Sequence, residues 1–263
     1  MLTDETVPAE GARYAAPLVL LPGLWARTQV WRGFATYLAH RGWECRVLDL
    51  RGAGGLEARA RAVAEYLATL PAPAVLLGHD AGGLVAHEAA RQAGAAAVVM
   101  VAPLVSGDAA TRGLVLNLRS LLGVALGWPV APPGPEALAP VLAELSPSER
   151  VAVTARLGAD DGAALRDLVR GRLAPHPGAV PTLVLAGARD PLLPAAAARA
   201  LADAMGAELQ TVADAGHWML AGAAWQRAVG LVHRWIVQQL GAPLLELYPE
   251  AMAEREAEEE EGE

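Results

Sequence analysis

The sequence predicts an α/β architecture: a mainly parallel, doubly wound sheet of about six strands, with a helical cap inserted in it. Three observations lead there. Short apolar runs alternate with longer amphipathic ones along most of the chain, the order that strand, helix, strand units impose on a parallel sheet. Four of the six candidate strands are almost wholly apolar, as strands covered on both faces must be. The alternation then stops between residues 103 and 180, where helical patterns follow one another without a convincing strand.

Taken in order, the first strand is read in APLVLL (16–21) and leads to a helix near 29–40. CRVLDL (45–50) leads to a helix near 56–69, and AVLLG (74–78) to one near 82–93. AAVVMVA (96–102) opens the gap. Beyond it, PTLVLAG (181–187) and ELQTVA (208–213) are followed by helices near 194–205 and 219–239. Inside the gap, helices near 109–126, 135–145, 147–157 and 160–173 are separated by Gly and Pro clusters such as GWPVAPPGP. The stretch TRGLVLNLRSLLGVALGW has a broad apolar face that could cover a pocket or pack on the sheet's own helices. The predicted organisation is a core at 1–102 and 181–249, a cap at 103–180, and an acidic tail at 250–263.

Charge is concentrated in that tail. The formal net charge is −8, but EAMAEREAEEEEGE holds eight Glu against one Arg, which leaves the other 249 residues at −1. Like charges at that density repel and bury nothing, so the tail is expected to be solvated and disordered. The nearly neutral body has neither the basic stripe of a nucleic-acid binder nor a polybasic membrane patch. All 21 basic residues are arginine, which excludes a P-loop lysine, a pyridoxal-phosphate Schiff base and a lysine nucleophile. Cys45 is the one cysteine. It permits neither an internal disulfide nor a multi-thiolate metal site, and a cytoplasmic location is expected. No apolar leader or membrane span is read. GAGG at 52–55 follows a strand, but Glu57 stands where a dinucleotide fingerprint needs its third glycine. No cofactor and no metal are expected, and a homodimer is left open.

Three residues that carry chemistry fall at the ends of predicted strands. Asp80 lies in GHDAGG after the third strand, Asp190 in GARDPLLP after the fifth, and His217 in AGHW after the sixth. Each has a bland reading, as a helix N-cap, a turn residue and a core histidine. Together they stand at the carboxyl edge of one sheet, where such folds bind ligands. Nucleophile, acid, histidine is the chain order of the α/β-hydrolases, and the chain resembles that family over roughly residues 16–240. The resemblance implies that Asp80 occupies the nucleophile elbow. It also implies that LLPGLW supplies part of an oxyanion hole, with N–H donors from Ala81 and from Leu24 or Trp25. Asp108 is the reserve acid. His40, His87 and His233 fall on helical patterns and are read as structural, and His79 as orienting the turn.

Aspartate at the elbow alters the chemistry. A carboxylate with an ordinary pKa of about 3.9 needs no base to become a nucleophile, yet it attacks an ordinary ester poorly, because it would have to expel a far more basic alkoxide. Attack on a saturated carbon bearing a halide or a strained epoxide oxygen instead gives an alkyl ester on Asp80. His217, oriented by Asp190, would then activate the water that hydrolyses it. The pattern resembles the epoxide hydrolase and haloalkane dehalogenase branch, acting on a small apolar substrate. Two departures stand out. Residues 103–180 contain no tyrosine to assist ring opening, and Ala81 follows Asp80 where dehalogenases place a halide-binding tryptophan. Trp25, Trp128 and His176 are candidate substitutes for the missing donor, and Trp218 is a further candidate pocket residue. The alternatives are an esterase or lactonase, a lyase or cyclase using Asp80 and His217 as acid and base, and a non-catalytic ligand-binding member.

Overall fold

The structure, a computed structural model, describes residues 2–104 and 118–245. Asp108 and the acidic tail lie outside the described residues. The first half runs β1 (Thr3–Val7), β2 (Leu18–Leu21), α1 (Arg32–Ala39), β3 (Cys45–Asp49), α2 (Leu56–Leu67), β4 (Val75–His79), α3 (Ala81–Ala93) and β5 (Ala97–Val101). An inserted segment follows, with α4 (Leu118–Leu126), β6 (Pro129–Val130), α5 (Pro135–Leu138), α6 (Pro147–Thr154), β7 (Asp160–Asp161) and α7 (Gly162–Val169). The chain returns to the sheet with β8 (Thr182–Gly187), α8 (Ala195–Met205), β9 (Glu208–Val212) and α9 (Trp225–Leu245).

The central sheet has seven strands in the order β1-β3-β2-β4-β5-β8-β9. The strands from β3 to β9 in that order pair in parallel, and they are the six that the apolar runs predict. Period-two alternation splits each between two cores. Leu18, Leu20, Leu77, Val99 and Leu185 face one side with Trp31 and Phe34 by α1 and with Val232 and Ile236 of α9. Val19, Leu21, Leu76, Val98 and Val184 face the other with Leu56 and Val63 of α2, Leu84 of α3 and Leu201 of α8. Each fully buried aliphatic side chain contributes about 1.5–3 kcal/mol by leaving water. Both faces are thus covered, which is why the strands read as nearly continuous apolar runs.

Three strands depart from expectation. β1 adds a seventh strand to the six read from the sequence, antiparallel to β3 with Thr3 opposite Asp49 and Val7 opposite Cys45. Its residues TDETV bury almost nothing. Backbone pairing and a hydrogen bond from the Tyr66 hydroxyl to Asp4 hold it, at 3.0 Å. Within the span expected to be strand-free, β6 and β7 form an antiparallel ladder pairing Val130 with Asp160 and Pro129 with Asp161. Two residues per strand are too few for a periodicity to register. Helix bounds shift as well: α9 begins at Trp225 rather than near 219, and α5 covers only the start of the helix read at 135–145.

Strand β4 and helix α3 cross with almost no space between them. A Cβ on Gly78 would lie 2.2 Å from the Gly82 carbonyl oxygen, and one on Gly82 would lie 2.5 Å from that of Leu21. Backbone atoms cannot yield as a flexible side chain does. Gly78→Ala is therefore expected to lower unfolding free energy by about 1–3 kcal/mol, read as a reduced midpoint in denaturant. A midpoint equal to the parent's would show that the crossing is looser than the geometry implies.

Candidate active site

Asp80 makes the turn between β4 and α3, at φ 56° and ψ −130°. Such a conformation costs a non-glycine residue roughly 1–3 kcal/mol and persists where the surroundings determine it. Here the crossing of β4 and α3 does so, and it thrusts the carboxylate out at the carboxyl end of the sheet. The side chain is nearly buried, and Oδ2 accepts a hydrogen bond from the Leu24 N–H at 2.8 Å. A Cβ on Gly23 would stand 2.4 Å from that oxygen, so the loop approaches as closely as it does because residue 23 lacks one.

The histidine and the second acid arrive from the next loops. Asp190 follows β8; its Oδ1 accepts the N–H groups of Leu192 and Leu193 at 2.8 and 3.1 Å. Oδ2 accepts from His217 Nδ1 at 2.9 Å. The other ring nitrogen of His217, Nε2, faces Asp80 Oδ1 at 3.5 Å. The three side chains read from the sequence as one site thus meet. His79 lies behind them, with Nε2–H donating to the His217 carbonyl at 3.2 Å and its ring 5.1 Å from that of Trp218. Its buried Nδ1 has no partner among the described residues.

Burial and charge set the protonation states. Burial alone would lower the pKa of His217, but hydrogen bonds to Asp190 and Asp80 and their charges outweigh it and raise the group to about 10. Burial opposes ionisation of Asp80, yet His217 and the Ala81 backbone hold its pKa below the ordinary value. His79 is pushed down to about 4, by burial first and then by the charge of His217. At neutral pH the site therefore holds an imidazolium between two carboxylates, beside a neutral histidine.

A cavity of about 60 Å³ opens over these groups. Leu24, Trp25, Leu104, Leu192 and Trp218 line it from the core, and Pro133, Leu138, Val141 and Leu157 from the inserted segment. Trp25 and Trp218 thus both line the pocket.

Other candidates are elsewhere. Trp128 is 60% exposed and is not part of the lining. Its GWP position beside β6 puts it on the surface of the inserted segment. His176 Nδ1 lies 3.3 Å from His87 Nε2, and its Nε2 lies 3.2 Å from Glu88 Oε2, on the outside of α3. Trp25 is not an oxyanion donor either, because its N–H is committed to Asp160 Oδ2 at 2.6 Å. Its indole N–H is committed to the Val130 carbonyl at 3.1 Å. Asp160 and its partner Arg59 escaped the sequence reading. The one available signal was Arg59 on the apolar face of α2. Among the described residues no cluster could hold a metal ion, and no helix is long and apolar enough to cross a membrane.

Residues 18–229 match the family model described as the alpha/beta hydrolase family. The chain belongs to the α/β-hydrolase family. Solved structures share its fold at low sequence identity. An esterase from Thermogutta terrifontis superposes with a TM-score of 0.70 at 20% identity, over 90% of this chain and 93% of the other. A monoacylglycerol lipase from Paleococcus ferrophilus gives 0.72 at 17%, over 91% and 99%. An enzyme degrading N-acyl homoserine lactones gives 0.61 at 19%, over 88% and 95%. No curated protein matches the sequence. The chain is accordingly a hydrolase of this family.

The proton on His217 has a measurable consequence. Its folded pKa lies above the ordinary 6.5, so the carboxylates contribute stability that is fully present below about pH 6.5 and lost as pH rises through about 10. Unfolding free energy measured from pH 6.5 to 10 should fall more steeply in the parent than in His217→Gln. Parallel curves would remove the imidazolium from the site.

Proposed function

We propose that this hydrolase acts on a small apolar epoxide or alkyl halide through an alkyl ester formed on Asp80, with the 103–180 segment as the cap over its pocket. One observation carries the reading. The Asp80 carboxylate is divided, Oδ2 being held by the Leu24 N–H while Oδ1 is turned toward His217 and the cavity.

In the first step Oδ1 attacks a saturated carbon, a C–O or C–X bond breaks, and Oδ2 becomes the carbonyl oxygen of an ester already seated on its donor. A halide departs with the electron pair. An epoxide oxygen takes the proton of the His217 imidazolium, which stands in for the acid that Trp25, its indole committed, cannot supply. With an epoxide this leaves His217 neutral; after halide departure, esterification has removed the Asp80 charge that helped keep His217 protonated, and the imidazolium gives its proton to solvent, so on either route the imidazole can then take a proton from water. Hydroxide then adds to the Asp80 carbonyl carbon, and the oxyanion forms on Oδ2 against the Leu24 N–H. Collapse releases the alcohol or diol and restores carboxylate and imidazolium.

The esterase and lipase among the structural neighbours favour a second reading, acyl hydrolysis with His217 activating water directly. Against it, the Leu24 N–H that an acyl oxyanion would need is occupied by Asp80 itself. A lyase or a binding role has no observation in its favour.

The two steps fail separately. Asp80→Asn should abolish turnover, whereas His217→Gln exposed to a primary alkyl iodide should accumulate protein heavier by the alkyl fragment, seen in its intact mass and mapped to Asp80. A single turnover of the parent in heavy-oxygen water should leave the heavy atom in the Asp80 carboxylate. Label appearing only in product, with no adduct on the His217 variant, would demote Asp80 to a spectator and favour acyl hydrolysis.

A further inference from the structure

Trp25 has three polar groups, and each is bonded to the inserted segment. Its N–H donates to Asp160 Oδ2 at 2.6 Å, its indole N–H to the Val130 carbonyl at 3.1 Å, and its carbonyl accepts the Gly158 N–H at 2.8 Å. Val130 and Asp160 are register partners in the β6–β7 ladder, so that small ladder delivers two of the three contacts. Trp25 itself sits at φ 60°, a left-handed conformation that a bulky residue adopts only when held there.

The holding group is a buried ion pair. The Asp160 side chain is 0% exposed and that of Arg59 is 2% exposed. The Arg59 guanidinium bonds Asp160 Oδ1, reaches Asp161 Oδ2 at 2.9 Å and, through Nε, the Gly54 carbonyl at 3.1 Å. Asp161 Oδ2 in turn accepts from the N–H groups of Gly52 and Gly54 at 2.9 and 3.2 Å. This is the use the fold makes of the GAGG loop. Charges removed this completely from water persist only when their partners and hydrogen bonds are complete.

We propose that the Asp160–Arg59 pair is a positioning device for the Leu24 N–H. It fixes Trp25 in the left-handed region, and so holds the preceding amide on Asp80 Oδ2. The inference rests on the alkyl-ester reading for its kinetic form. Negative charge develops on Oδ2 only during ester hydrolysis, so a misaimed Leu24 amide slows that step and spares alkylation, in which Oδ1 attacks.

Asp160→Ala would strand the Arg59 charge, so the test uses two paired variants. Arg59→Met with Asp160→Leu removes the pair and the acceptor for Trp25. Arg59→Met with Asp160→Asn removes the charges but keeps an acceptor. With iodoethane as probe, alkylation is followed by iodide release and ester hydrolysis by decay of the ethylated protein mass. Leu24 amide exchange is followed in the absence of probe. The Leu variant should alkylate within about threefold of the parent, hydrolyse its ester about 10²–10³-fold more slowly, as for loss of an oxyanion donor, and exchange Leu24 faster. The Asn variant should recover most of both losses. Equal slowing of both steps, or no slowing of hydrolysis in a folded Leu variant, would overturn the proposal. If His217→Gln acquires no ethyl adduct, the ester reading alone has failed. Leu24 exchange then decides the positioning role, and an unchanged rate in the Leu variant would reject it.

Discussion

Everything in the site follows from keeping an ionised carboxylate nearly out of water at a strained turn. Moving a carboxylate-sized ion into a low dielectric is expensive, and several kcal/mol remain even after relaxation. Asp80 therefore needs compensation from every direction. It receives the Leu24 N–H from the loop after β2, the start of α3 with its oriented amides, and the imidazolium of His217 from the loop after β9. These loops can converge because β2, β4, β8 and β9 run parallel and end on one edge. The parallel sheet supplies the geometry, and the two apolar cores that fix it are the foundation of the electrostatics.

A second carboxylate changes what the histidine is. An imidazole bonded to one buried acid and facing a neutral hydroxyl can rest without a proton and serve as a base. His217 faces Asp190 at 2.9 Å and Asp80 at 3.5 Å, and two negative charges at those distances hold the proton on. The resting site is electrically satisfied and cannot act as a base. Only a reaction that neutralises Asp80 releases the histidine, and alkylation does so whereas simple binding does not. On the proposed alkyl-ester route the order of events would thus be built into the charges, with ester formation switching on the group that removes the ester.

The fold was legible where burial writes a period into the sequence. Leu18 to Leu21, Val75 to His79 and Ala97 to Val101 are buried on both faces, and their apolar runs announced both the strands and their place in the sheet's interior. Asp80, Asp190 and His217 were legible because strand ends followed by turn residues are local patterns. β1 was not, since TDETV is exposed along nearly its whole length and held by its backbone. Nor was the ladder from Val130 to Asp160, whose partners lie 30 residues apart with no hydrophobic trace. The candidate donors fail for two reasons. Whether the Trp25 indole or His176 is free depends on what else approaches it, and a carbonyl at Val130 or a carboxylate at Glu88 cannot be foreseen from spacing; Trp128 is turned to the surface, which a lone tryptophan beside two-residue strands does not announce.

The apolar pocket suits the proposed chemistry at both ends of the cycle. Leu24, Leu104, Leu138 and Leu192 present no polar group to a substrate, so the proposed haloalkane or epoxide would enter for the free energy of leaving water, about 25 cal/mol per Å² of apolar surface. The same apolar walls strengthen the attraction between Asp80 and His217. On that route hydrolysis would convert the bound molecule into an alcohol or diol. A hydroxyl left among these side chains without a partner costs about 1–3 kcal/mol, and restoring the Asp80 charge re-forms the pair with His217. That product would be disfavoured by the walls that attracted its precursor, and the returning ion pair would complete the displacement.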